Sequence, residues 1–118
     1  MMEATNHARE MQIAKTEALF RDVNERIAET SERFDTDEAH FMCECADSKC
    51  AERLEVPLAE YEEVREDPTT FVLNPEHLTA DVETIVEQRE GYAVVRKFDA
   101  VVARMVRKLD PRARAEPA

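Results

Sequence analysis

The apolar residues Ile13, Phe20, Val23, Ile27 and Phe34 recur at steps of three, four or seven through a stretch, Glu3 to Phe34, without Gly or Pro. That spacing puts them on one face of a long amphipathic helix. The polar positions between them supply Glu17 with Arg21 and Asp22 with Arg26 at the i,i+4 separation that supports an exposed helix. The stripe is narrow and close to the a/d seam of a coiled coil, so the helix is expected either to pack on the rest of the chain or to zip with a second copy.

Beyond Asp35-Thr-Asp37, which should end this helix, the pattern shortens. Arg53-Leu-Glu-Val56 alternates and predicts a strand. Pro57 opens a helix with Leu58, Tyr61 and Val64 on one side and Glu60, Glu62 and Glu63 in its first turns, where the helix dipole favours anions. Asp67-Pro68 stops it, and Thr69-Thr-Phe-Val-Leu73 reads as a second strand. Asn74 to Gly91 carries both signals: Asn74 and Pro75 can start a helix, whereas Val82, Thr84, Ile85 and Val86 are β-branched. With Tyr92-Ala-Val-Val-Arg-Lys97 following a Gly-containing turn, a β-hairpin is the better assignment. From Asp99 to Leu109, Val102, Met105, Val106 and Leu109 line one helical side and Arg104, Arg107 and Lys108 the other, until Pro111 ends the pattern and a tail begins.

Composition narrows the function classes. At 118 residues the chain is expected to hold one modest core. A single glycine, Gly91, leaves no glycine-rich phosphate cradle. The net charge of −11 argues against a general nucleic-acid binder, although residues 91–118 carry 7 Lys and Arg against 3 Asp and Glu. A minor alternative therefore places nucleic acid on the basic face Arg104, Arg107 and Lys108, where no aromatic residue stands among the cations to stack on bases. The amino terminus shows neither a basic nor an apolar leader segment, so a cytoplasmic protein is expected, in a compartment that keeps thiols reduced.

The cysteines change the picture most. All three lie in Phe41-Met-Cys43-Glu-Cys45-Ala-Asp-Ser-Lys-Cys50, a C-x-C-x4-C cluster whose odd count disfavours a disulfide framework. Soft thiolates at this spacing suit one Zn2+ per chain, which takes a fourth donor to close a tetrahedron. Among His7, His40 and His77, the first lies at the far end of the helix, and the second, three residues before Cys43, competes with the turn. His77, in the loop Asn74-Pro75-Glu76-His77 after the second predicted strand, reaches the cluster if the two predicted strands pair. The expected ligands are Cys43, Cys45, Cys50 and His77. Glu44 and Asp47 read as solvated residues of the knuckle, Tyr61 as packing on the sheet, and Arg65 as paired to Glu62 or Asp67. Asp37-Glu-Ala-His40 spells a helicase motif, but no hydrophobic strand precedes it and no phosphate-binding loop accompanies it. No catalytic constellation is read, and the chain is not expected to be an enzyme.

The C-x-C-x4-C spacing is similar to that of post-SET zinc knuckles, in which a distant residue supplies the fourth ligand; the likeness covers Cys43, Cys45 and Cys50 and implies coordination only. Together, Glu17 to Ile27, the Phe41 to Cys50 cluster, Glu60-Tyr-Glu-Glu-Val-Arg65, Phe71 to His77 and Tyr92 to Lys97 resemble a family of small actinobacterial proteins with no established activity. That family usually has Gly where this chain has Glu76. The expectation is an α+β protein in three parts. Residues 1–36 form an amphipathic helix for interaction or coiled-coil formation, 37–110 a small zinc-stapled domain with a short, mainly antiparallel sheet and a C-terminal helix, and 111–118 a flexible tail. It would serve as a non-enzymatic protein-interaction or regulatory module, binding a protein partner or a second copy as a homodimer through the helix. The alternative is a thiol-based redox or metal sensor.

Overall fold

The first helix, α1 (Met2–Arg33), runs along the rest of the molecule in a computed structural model that describes residues 2–115, with side chains from 7 to 113. It contributes Ile13, Ala14, Glu17, Arg21, Asn24, Ala28 and Ser31 to the interior, at steps of one, three and four. The buried face is thus polar at its centre. The apolar positions that suggested the stripe divide: Ile13 is buried and Ile27 packs at the edge of the core, while Val23 and Phe34 face solvent. Glu17 and Arg21 do not pair with each other on an exposed face, as the spacing had suggested. Each turns inward to a separate partner.

After α1 the backbone turns at Asp35, with φ of 54°, and enters β1 (Glu38–Met42), which pairs antiparallel with β2 (Arg53–Pro57) as a two-stranded sheet. The sequence pattern assigned no strand to this stretch. Its alternation of exposed Glu38 and His40 with buried Ala39 and Phe41 is the period-two signal of a strand. Helix α2 (Leu58–Val64) follows and lays Tyr61 against Phe41, the rings stacked at 4.1 Å between centroids. A second, three-stranded antiparallel sheet has the order β3 (Thr70–Leu73), β5 (Tyr92–Lys97), β4 (Glu83–Arg89). The β4–β5 hairpin is present where it was expected. It turns at Gly91, whose φ of 88° a side chain rarely tolerates, and an irregularity near Val86 interrupts its register. Helix α3 (Ala100–Lys108), capped by the Asp99 carboxylate on Val102 N at 3.0 Å, packs Val102 and Val106 into the core.

Residues 111–115, expected as tail, instead form the short helix α4 (Pro111–Ala115); residues 116–118 of that expectation lie outside the described residues. Arg112 of α4 binds Glu25 of α1 at 2.8 Å and Glu62 of α2 at 2.6 Å. Arg65 likewise reaches Glu25 at 2.6 Å and Asp110, rather than Glu62 or Asp67.

Where α1 crosses the three-stranded sheet, Lys97 is enclosed with Glu83 and Glu17, all three side chains fully buried. The Lys97 ammonium donates to Glu83 and touches Glu17, yet neither Glu17 oxygen receives a well-directed hydrogen bond. Burial, opposed by Lys97 and reinforced by Glu83, pushes the Glu17 carboxyl up to about 8. The folded chain therefore binds a proton that the unfolded chain releases near 4.5. That contribution to stability should be complete below about 4.5, decline as the pH rises, and be gone above about 8. Denaturant titrations at a series of pH values check this: Glu17→Gln should remove the decline, and an identical slope in both proteins would refute it.

Candidate metal centre

The two-stranded sheet and the start of the loop after it shape the knuckle. Cys43 follows β1 directly, and its N–H donates to Glu52 O at 3.0 Å, carrying the pairing one step past Met42. Asp47 turns the chain back: its carboxylate accepts from Lys49 N at 2.9 Å, and its carbonyl from Cys50 N at 3.0 Å. The knuckle is joined to the other sheet by a single backbone bond, Glu44 N to Val72 O at 2.8 Å. Beyond β3, the Asn74 side chain accepts from Glu76 N at 2.9 Å, starting a short 3-10 turn (Pro75–His77) that swings His77 over the cysteines.

Cys43, Cys45, Cys50 and His77 thereby bring three sulfurs and a ring nitrogen within 4.8 Å of one another. Nδ1 of His77 lies 3.4 Å from the Cys43 sulfur and 3.7 Å from that of Cys50. Tetrahedral zinc with ordinary Zn–S and Zn–N bonds separates such a pair by about 3.5 Å, so the spacing fits a shared ion. The expected route to His77 differs from the observed one. The two strands before it, expected to pair with each other, do not: β2 joins β1, and β3 joins β5. His40 projects outward from β1 and His7 is exposed on α1, so neither joins the group.

Thiol crowding gives the site its electrostatics. The hydrogen bond from Cys43 to Cys45, then burial, raises the Cys43 thiol well above its ordinary range, while the same bond holds Cys45 down at about 5. Burial raises Cys50 as well. Without a cation, one thiolate shares the protons of its neighbours; a divalent ion allows all three to ionise. The surroundings are already arranged for such an ion. Asn74 N donates to the Cys43 sulfur at 3.3 Å. Nε2 of His77 faces the Glu52 carboxylate at 3.6 Å, and Asn74 Nδ2 holds that carboxylate at 2.8 Å. A carboxylate on the far ring nitrogen leaves Nδ1 free to coordinate. Replacing Glu52 by Ala should accordingly weaken metal binding about tenfold, in a chelator competition assay, with the stoichiometry preserved. Unchanged affinity would remove Glu52 from this role.

Family models, curated proteins and solved structures offered no match to this chain. The arrangement of its own side chains is the basis for reading the site.

Among the knuckle residues, the one that sequence reasoning misplaced is Glu44. Far from being solvated, it is fully buried. In the extended Cys43-Glu44-Cys45 segment the cysteines point to one side and Glu44 to the other, into the interior. There its carboxylate accepts from Arg21 Nη2 at 3.0 Å, Asn24 Nδ2 at 2.9 Å, Tyr61 OH at 3.1 Å and Val72 N at 3.0 Å. Arg21, also buried, stacks on the Phe71 ring at 3.6 Å and donates to the carbonyls of Thr70 and Pro68. Asp47, by contrast, is exposed as expected. The signal for Glu44 lay in the alternation itself: a residue between two ligands faces away from them, and here that way leads to Arg21, Asn24 and Tyr61.

Proposed function

We propose that this chain is a small zinc-binding module without catalytic activity of its own, in which one Zn2+ on Cys43, Cys45, Cys50 and His77 staples the knuckle to the loop after β3. The convergence of three sulfurs and one imidazole nitrogen within 4.8 Å carries this reading. Three thiolates select zinc over hard cations, and the single histidine favours it over iron–sulfur clusters, which usually take four cysteines. Four protein donors leave no position for a water to be activated, which makes the role structural. The module would act through protein contacts. On the outer side of α1, Leu19 and Val23 stand one turn apart and exposed, and they offer an apolar strip to a partner helix or a second copy. Elemental analysis of the purified protein should find one zinc per chain, and Leu19→Glu with Val23→Glu should abolish association seen by sedimentation while leaving the zinc bound. Iron, or no metal, would overturn the reading.

A second reading, a thiol-based sensor, is favoured by a cavity of about 590 Å³ whose walls include Cys45 and His77. A peroxide entering there would take two electrons from two thiolates, forming a disulfide and, with two protons, two waters, and releasing Zn2+. Zinc release at low peroxide, reversed by a dithiol, supports this reading; retention of zinc excludes it.

A further inference from the structure

We infer that metal loading and the seating of α1 are one coupled equilibrium, transmitted through the Cys43-Glu44-Cys45 peptide and the Glu44–Arg21 pair. The inference rests on the Cys3His reading and extends it to regulation: α1 reports whether the site is loaded.

The geometry leaves little independence between the two. Ligation of both flanking thiolates fixes the backbone on each side of Glu44, and so aims its carboxylate at Arg21 and Asn24 of α1. Asn24 grips the same segment a second time, accepting from Met42 N at 2.7 Å and donating to Met42 O at 3.0 Å. The middle of α1 therefore docks on the knuckle by polar contacts that demand one backbone position. A hydrophobic seam would tolerate a shift of the knuckle; a buried arginine facing a buried carboxylate does not. When the ion leaves, the bonds that tie Cys43 and Cys45 to Cys50 and His77 are lost, Glu44 keeps only its protein partners Tyr61, Val72, Asn24 and Arg21, and the Glu44–Arg21 contact weakens. α1 is then expected to lift from the knuckle, turning Arg21 and Asn24 into surface, while Glu17 stays against Lys97. Glu44 and Arg21 are positioning residues: neither touches the ion.

Coupling of this kind is reciprocal. Whatever seats α1 strengthens metal binding by the same factor. Arg21, on a helix that contributes no ligand, should therefore control affinity for zinc. The test measures zinc affinity by chelator competition, the Co2+ absorption spectrum, and hydrogen exchange of the zinc-loaded full chain, in the parent, Arg21→Gln, Arg21→Lys and the isosteric Glu44→Gln. Arg21→Gln and Glu44→Gln should each lose about tenfold or more in zinc affinity, in the range found for residues just outside a ligand shell. The Co2+ spectrum should keep its thiolate bands, since the four ligands are untouched. Exchange in α1 between residues 13 and 28 should accelerate selectively while β4 and β5 stay protected, and Arg21→Lys should recover part of the affinity. Unchanged zinc affinity in both Gln variants would overturn the coupling, as would exchange that accelerates equally in every element. A parent chain that binds no zinc would instead overturn the reading of the site, and the stoichiometry distinguishes that failure from the other.

Discussion

Replacing Cys50 by Ser, or His77 by Ala, is expected to abolish tight zinc binding and lower the melting temperature on the order of 10–20 °C. The argument is one of linkage. An ion bound to the native state and absent from the unfolded one stabilises by about 4 kcal/mol when free metal stands a thousandfold above its dissociation constant. The four ligands come from both sides of β2, α2 and β3, so the ion closes a long loop as well as filling a site. Cys50 is the most exposed of the three thiols, and Ser in its place leaves no apolar cavity, so the loss reflects ligation rather than packing. Differential scanning calorimetry beside elemental analysis measures both quantities. A Cys50→Ser protein that retains its zinc and its melting temperature would leave the cluster without a structural role.

The second large effect is expected at Lys97. Changing it to Met leaves Glu17 and Glu83 buried together without their cation, at a cost of about 3–5 kcal/mol by chemical denaturation. Neutralising the carboxylates tests the cause. In the triple variant Glu17→Leu, Glu83→Gln, Lys97→Met, most of the loss should return, because well-packed neutral groups replace buried ion pairs without penalty. Gln is chosen at position 83 because that side chain also accepts from Thr79 N at 2.9 Å. A triple variant no more stable than Lys97→Met would mean that the loss arises from the ammonium over the Phe71 ring rather than from the buried carboxylates.

These two sites differ in how readily a sequence discloses them. The α+β class, the long helix and the hairpin followed from periodicity, and the four candidate ligands from the chemistry of clustered thiols. Each is a local pattern. The polar seam under α1 was hidden because an amphipathic reading assigns Glu17 and Arg21 to the solvated face on residue type alone. Only partners distant in sequence, Lys97 for Glu17 and Glu44 for Arg21, reverse that assignment. Narrow stripes such as Ile13, Phe20, Val23, Ile27 and Phe34 then point some of their members at water. Strand β1 escaped for a different reason: its alternation is short and adjoins the cysteines, so Phe41 groups with the metal cluster rather than reading as an inward strand position. The structured stretch after Pro111 could not be foreseen from its own residues, since its order comes from Arg112 meeting Glu25 and Glu62 across the fold.

The distances along the chain between α1 and its partners also set an order of assembly. During synthesis α1 emerges before its partners, with its two inward charges unmatched. Glu44 follows soon after, whereas Lys97 must wait until β2, α2, β3 and β4 have been made. Close contacts in sequence form faster than remote ones. The helix should therefore clasp at its Arg21 and Asn24 end while the nascent chain is still growing, and shut at Glu17 only after β5 has been delivered. If the proposed coupling holds, a chain made without its metal would carry an unclasped helix until the last strand arrives, a form more exposed to proteases.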